Sequence, residues 1–429
     1  MAPTTRSKNQ RQYYIDWLRI LLILTVFIFH IGMIFNPFEW HIKNDRQFDW
    51  LAPIMSFLHL WRMPLLFLIS GMGTYFAMGK RDLRTYLRER SLRLLLPLIA
   101  GIFILVPVQV YIERIGQYES LLSYYGHMFE GTYPEGNFSW HHLWFIAYLW
   151  LISVIITPIL RVLEHRGSPG YLRGIKKVML KPLGMNAVLL PLVTSQILLK
   201  PYFPEETHDV VNDWAFLTYN AIFFISGFTL FIRPAVQLTI TRYRRLYLAQ
   251  AVVVSFVWFL LPATGSGIHW WHMLLSAAVA WSCGVTALGY AARYLNRDSR
   301  IRKKANEAIY PFYLLHQPLI ILSAYLILRE EMAPWSKALL IAGTTLTAGG
   351  MIYWFIIRPF HITRLIFGMK SRRAARQKAA GDLDKKQKKA YKSLTGGEQS
   401  YALQTLISPE DDKWDVIVPE APHQIRTQR

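Results

Sequence analysis

Cysteine is almost missing from this 429-residue chain, and Cys283 is its only one. A single thiol excludes an intramolecular disulfide and a clustered thiolate metal site, and its place inside a long apolar run points to packing rather than nucleophilic catalysis. Compact metal-ligand spacing is missing too. The 13 histidines are scattered and none belongs to a His-Glu-x-x-His pattern, so no metal is expected. Gly73 to Lys80 has the outline of a phosphate loop, but Arg81 stands where Ser or Thr is needed and the stretch lies in an apolar run, so it is rejected. Acidic residues are scarce, 27 against 48 lysines and arginines, for a formal net charge of +21.

What is abundant is apolar surface. Hydrophobic residues make up 53% of the chain and charged residues only 17%, where soluble domains carry about 25% charged. Reading runs of about 20 mainly apolar residues as membrane spans gives about ten, roughly 15–35, 54–78, 94–112, 142–160, 183–200, 214–232, 246–263, 270–291, 309–328 and 337–357. The expected fold is therefore an all-α integral membrane protein. Residues 1–14 form a short N-terminal segment, 15–367 the transmembrane domain and 368–429 a basic, then polar, tail.

The positive charge follows the spans. The N-terminus (Arg6, Lys8, Arg11) and alternate connections (Lys80 to Arg90, Arg161 to Lys181, Arg233 to Arg245, Arg293 to Lys304) are basic, whereas the intervening ones carry Glu113, Glu119, Glu130 and Glu135, or Glu205, Glu206, Asp209 and Asp213. Alternation of this kind is the positive-inside pattern of a polytopic protein and places both termini in the cytoplasm. It also removes nucleic acid as a partner. The first span lacks a small-residue cleavage site and carries Arg19 and His30, so it is expected to persist as a helix rather than be removed as a signal peptide. The tail, with its Lys385-Lys386-Gln387-Lys388-Lys389 run, reads as largely disordered, or as a basic segment lying on anionic lipid. An internal echo, Phe67-Leu68-Ile69-Ser70-Gly71 and Phe223-Phe224-Ile225-Ser226-Gly227, reads either as a duplicated unit or as small residues that let helices approach.

Ionisable groups inside apolar runs are costly and mark function. Arg19 and His30 lie eleven residues apart in the first span, about 16 Å and about three turns, so they share one helix face. His30 sits toward the outer end. In the second span, His59 and Arg62 enter at matching depth. An imidazole beside a guanidinium suits general-base activation of a hydroxyl with stabilisation of a developing oxyanion, which makes His30 and Arg62 the catalytic candidates; His59 reads first as structural. At the inner end, Arg90 and Arg93 share a face and with Arg19 form a site for a phosphate-bearing donor, whose geometry suits arginine's fork. His141, His142 and Trp144 stand at the outer mouth of the fourth span, as acceptor lining or as an interfacial belt. Tyr313 and His316 in the ninth span are candidates to line a tunnel or simply to pack.

Together these residues resemble the acyltransferase 3 family of membrane O-acyltransferases. The resemblance rests on the Asp16-Trp17-Leu18-Arg19 opening with His30 after ten further residues, the Arg90 and Arg93 pair before a Leu-rich run and Pro97, and the Pro64 to Gly71 stretch, and it covers residues 11–367. Arg62 to Phe67, His142 to Phe145 and Tyr310 to Gln317 look most like the glucan biosynthesis protein C branch, associated with succinylation of periplasmic glucans. The resemblance implies a cytoplasmic acyl-CoA donor, used as substrate with no permanently bound cofactor. It further implies an acceptor hydroxyl on an envelope glycan at the outer side of a bacterial inner membrane, and His30 as catalytic base, by direct transfer or through an acyl-histidine. Asp16 then joins the residues near the path. The competing class is a transporter or flippase, in which Arg19, His30, Arg62 and Arg93 line a conduit. An interaction or sensory protein would leave those buried charges without a reason. Partners beyond donor, acceptor and membrane lipid, including further copies of the chain, are not legible.

Overall fold

A computed structural model describes residues 12–79, 81–165, 174, 177–232, 234–261 and 269–370. Arg6, Lys8, Arg11, Lys80, Arg166, Arg173, Lys176, Arg233, the 263–268 turn and the tail from 371 onward lie outside the described residues. Among the described residues the chain is helical, without strands. The helices are α1 (Tyr13–Phe35), α2 (Leu51–Met78), α3 (Leu83–Ile104), α4 (Val106–Glu113), α5 (Leu121–His127), α6 (Trp144–His165) and α7 (Leu189–Leu199). They continue with α8 (Trp214–Ile232), α9 (Pro234–Arg242), α10 (Arg244–Leu260), α11 (Trp270–Tyr294), α12 (Arg300–Ile327), α13 (Pro334–Met351) and α14 (His361–Ile366).

Among the described residues all ten apolar runs are mainly helical. Seven helical stretches are long and apolar enough to cross a membrane: Tyr13–Phe35, Leu51–Met78, Leu83–Glu113, His141–Leu163, Trp270–Tyr294, Arg300–Ile327 and Pro334–Ile357. The run at 214–232 continues into α9 through a 104° bend, and the pair counts as an eighth if it is one span. The fifth run is a shorter apolar helix over Gly184–Leu199, and the seventh, α10, spans 17 residues.

The echoing segments meet each other where α2 crosses α8. A Cβ on Gly71 would stand 1.9 Å from the Phe224 carbonyl oxygen, and one on Gly227 would stand 1.9 Å from that of Leu68. Any side chain at either position drives the helices apart, so glycine here sets the crossing distance. This is the close-approach role of the Ser-Gly pairs.

Prolines inside the helices decide where polar groups meet. Proline lacks an N–H and so frees the carbonyl four residues earlier, an acceptor that an apolar setting obliges the chain to pair. Pro97 in α3 frees the carbonyl of Arg93, and Tyr310 Oη on α12 donates to it at 3.2 Å. Pro318 in α12 frees the carbonyl of Leu314, and His142 Nε2 donates to it at 3.1 Å. Each proline joins α12 to a neighbouring segment, one at each end of the future site.

Candidate functional site

The predicted donor residues meet. A cavity of about 300 Å³ is lined by Arg19 from α1, Ser70 and Gly73 from α2, Arg90 and Arg93 from α3, and Asn306, Tyr310 and Tyr313 from α12. Arg81 also faces it, paired with Glu89 at 3.3 Å. Four guanidiniums around one carboxylate make the cavity strongly positive. The predicted arginines make long hydrogen bonds: Arg19 Nη1 donates to Asn306 Oδ1, Arg90 Nε to Ser153 Oγ and Arg93 Nε to the Gly368 carbonyl, all at 3.3 Å, and Arg19 also lies 3.6 Å from the Asp16 carboxylate. Arg90 Nη2 is buried without a hydrogen-bond partner. A buried donor left unpaired costs about 1–3 kcal/mol, which an anionic ligand would recover.

Asp16 does not line this cavity. Its carboxylate lies 3.6 Å from Arg19 and accepts from the fully buried Arg302, which also binds Asp298 at 2.7 Å. Asp16 thus joins the basic end of α1 to the start of α12, a structural role that its place in the opening motif did not disclose.

Tyr313 is the wall between this cavity and the catalytic candidates. Its ring faces the cavity, its hydroxyl donates to the His142 carbonyl at 2.5 Å, and its own carbonyl accepts from His316 Nδ1 at 2.5 Å. A carbonyl only accepts, so Nδ1 of His316 carries the proton and, in the neutral ring, Nε2 is an acceptor. His30 Nδ1 lies 3.0 Å from that Nε2 and must be its donor. The consequence is a defined tautomer: His30 keeps a lone pair on Nε2. The His30 ring stacks on Trp40 at 5.9 Å, and His142 stands edge-on to His316 at 5.3 Å.

Arg62 completes this end. Its guanidinium lies 3.4 Å over the ring of Phe29, the residue before His30, and is buried, with Nε and Nη1 unpartnered. Depth alone grouped His30, Arg62 and His59; the structure arranges them around the Phe29 ring. His59 is 6.2 Å from that ring and turned away, its Nε2 bonded to Glu206 Oε2 at 2.8 Å. It lines two other recesses, one of about 300 Å³ with Gln196, Lys200 and Glu206, the other of about 620 Å³ with Phe38, Trp258 and Phe259. Trp144 also stands apart, stacked on His208 at 4.3 Å.

The 201–213 connection that carries these partners is fixed electrostatically. Burial alone would raise Glu206, but the His59 ring beside it, with Lys200 and His208, holds its carboxyl at about 2. Burial brings His208 down to about 4 against the pull of Glu206, and burial pushes Asp213 up to about 6 although Tyr148 donates to it at 2.7 Å.

A second polar group joins His41 and Glu113, neither of them a candidate from the sequence, to His141. His41 Nδ1 lies 2.5 Å from Glu113 Oε2, Tyr133 Oη donates to Glu113 Oε1 at 3.0 Å, and the His41 and His141 rings are 4.4 Å apart. Gln317, next to His316, lies 3.1 Å from His41 Nε2 and joins the two groups. The hints in the sequence were His141, placed at the outer mouth, and a carboxylate, Glu113, at the end of an apolar run.

Comparison with known proteins follows the same lines. Residues 12–354 match the acyltransferase domain that defines the acyltransferase 3 family. Glucans biosynthesis protein C of Salmonella schwarzengrund (strain CVM19633) is 24% identical over 327 residues, covering 72% of this chain and 82% of that protein. The proteins of the same name from Salmonella heidelberg (strain SL476) and Salmonella enteritidis PT4 (strain P125109) match with the same identity and coverage. No solved structure matches. The transporter alternative finds no support among these relatives. With intramembrane arginines gathered in one cavity, a histidine of defined tautomer beyond it and a family model covering most of its length, the chain belongs to the acyltransferase 3 family and is a membrane O-acyltransferase.

Proposed function

We propose that this enzyme moves an acetyl or succinyl group from cytoplasmic acyl-CoA to a hydroxyl of an envelope glycan on the outer side of a bacterial inner membrane. It would cross that membrane about ten times, with both termini in the cytoplasm, as positive-inside counting favours. The single observation that carries the reading is the His316 to His30 hydrogen bond, which leaves a lone pair on His30 Nε2, with the unpaired donors of Arg62 over the ring of the adjacent Phe29.

In this mechanism Arg19, Arg90 and Arg93 neutralise the phosphates of coenzyme A, which is a substrate rather than a resident cofactor. The pantetheine arm passes Tyr313 and brings the thioester to His30. His30 Nε2 takes the proton of the acceptor hydroxyl as its oxygen bonds to the thioester carbon. Negative charge develops on the carbonyl oxygen, where Arg62 stabilises it in a site largely closed to water. The carbon–sulfur bond then breaks and the leaving thiolate takes the proton back from His30, so no net proton is consumed.

Mass spectrometry of envelope glycans from cells with and without the gene tests the reading. The expected result is an acetyl or succinyl mass difference that disappears with His30→Ala in membranes retaining the folded protein. Unchanged envelope acylation in cells carrying that variant overturns it.

A further inference from the structure

We propose that His41, Glu113 and His141 form a binding site for a divalent transition-metal ion of the zinc type, beside the catalytic histidines. One donor atom from each residue lies within 4.8 Å of the other two. Bonds of about 2.0–2.2 Å in tetrahedral geometry put ligand atoms about 3.3–3.6 Å apart, so the His41 Nδ1 and Glu113 Oε2 pair, now 2.5 Å apart, would separate to admit the ion while His141 closes on it.

The outer contacts identify which atoms face the ion. Glu113 Oε1 is taken by the Tyr133 hydroxyl at 3.0 Å, which leaves Oε2. His41 Nε2 faces the side-chain amide of Gln317 at 3.1 Å, which leaves Nδ1. His141 Nδ1 faces Ser139 Oγ at 3.4 Å, which leaves Nε2, and that atom is buried with no partner of its own. Each residue is therefore supported on one atom; the second atoms of His41 and Glu113 share a hydrogen bond with each other, which the ion would replace with release of its proton, and that of His141 is open. This is how metal ligands are held: a ligating histidine bonds its second nitrogen to an outer group, and a ligating carboxylate accepts a further hydrogen bond. The Gln317 amide reads equally well with its oxygen toward His41, since amide orientation follows from the hydrogen-bond network. In that orientation it accepts from the Nε2–H of a metal-bound His41.

Two imidazoles and one carboxylate are a ligand set for zinc, and three protein ligands leave a fourth position open, the pattern of catalytic rather than structural sites. The backbone also favours a specific aim for His141, which adopts φ 39° and has its N–H held by Ser139 Oγ at 3.0 Å. Side chains rarely accept that left-handed conformation unless their surroundings require it. Gln317 faces His41 and its neighbour His316 bonds His30, so the ion would be linked to His30 through this chain of contacts, with its open position available to hydroxyls of an acceptor.

The test is metal content of the full-length protein, purified through a tag without histidine, exposed to Zn²⁺ and passed through a desalting column. About one zinc per chain is expected, and cobalt loading should give the visible absorption of a tetrahedral site. Glu113→Gln and His141→Ala should lose the metal. Tyr133→Phe, which keeps all three ligands, should weaken affinity about 10–100-fold while still filling at saturation, so loss of metal is not confused with loss of fold. A wild-type protein that retains no zinc, or a Glu113→Gln, His141→Ala double variant that retains as much as wild type, overturns the proposal. Metal content is read without acyl transfer, so this result stands or falls separately from the enzymatic reading.

Discussion

The two ends of this molecule solve opposite problems with the same helix. At the basic end of α1, Arg19, 3.6 Å from the Asp16 carboxylate, joins Arg90 and Arg93 around a cavity where hydrogen bonds to the guanidiniums are long, at 3.3 Å, and Nη2 of Arg90 is unpaired. At the other end, His30 is held by a directed 3.0 Å bond, and its partner His316 is in turn fixed by a backbone carbonyl at 2.5 Å. A loose positive site suits a ligand that must enter and leave. A rigid imidazole pair suits a proton whose position must be defined. Tyr313 touches both, and the prolines at 97 and 318 attach the helix that carries it to its neighbours at each end.

That contrast can be broken by substitution, and the largest effect should come from the rigid end. His30→Ala removes the proposed base and should lower kcat about 10²–10⁴-fold with little change in the KM for donor, measured as release of free coenzyme A. A proportional rise in KM would move His30 into the binding site and erase the difference between the ends. Arg90→Gln should do the reverse. Loss of one charge-assisted contact of about 1.5–3 kcal/mol should raise the donor KM about 10–100-fold, with kcat nearly kept. His316→Phe keeps the ring's bulk and removes the acceptor for His30 Nδ1–H, so kcat should fall up to about tenfold and its pH profile should change. A merely packed His316 would leave the profile in place.

The smallest effect belongs to the 201–213 connection. His208, brought from 6.5 to about 4 in the folded protein, binds fewer protons there than when unfolded. Its contribution is therefore complete above about pH 6.5 and is lost as pH falls through about 4. His208→Phe, which keeps the stack on Trp144, should remove on the order of 1 kcal/mol of acid sensitivity over that window, after allowing for solvent screening. Thermal unfolding in nanodiscs at several pH values reads it, and an identical acid dependence in the variant would remove His208 from the account.

The comparison also explains what the sequence disclosed. A guanidinium inside an apolar run is an anomaly visible without any structure, and helical spacing says which residues share its face. Arg19, Arg90, Arg93, His30 and Arg62 were legible for that reason. The placement of His59 with them rested on depth alone, and depth does not say which partner a side chain takes, here Glu206. His41, Glu113 and His141 were invisible as a group because 72 residues separate the first two and the partners lie in or beside connections, whose paths are set by packing. Asp16 illustrates the same limit: its place in the opening motif gave no sign of Arg302, 286 residues away. The helical class was fully legible from apolar runs, whereas the 104° bend after α8 and the short helix at 184–199 follow from contacts that hydropathy does not contain.

The central claim is that binding and chemistry are divided between the two ends. Direct measurement of acyl-CoA binding to purified His30→Ala and Arg90→Gln proteins, by calorimetry in nanodiscs, tests it most closely. Wild-type affinity is expected for the inactive His30→Ala protein and about 10–100-fold weaker binding for Arg90→Gln. Equal weakening in both, or no binding by the wild-type protein, would contradict it.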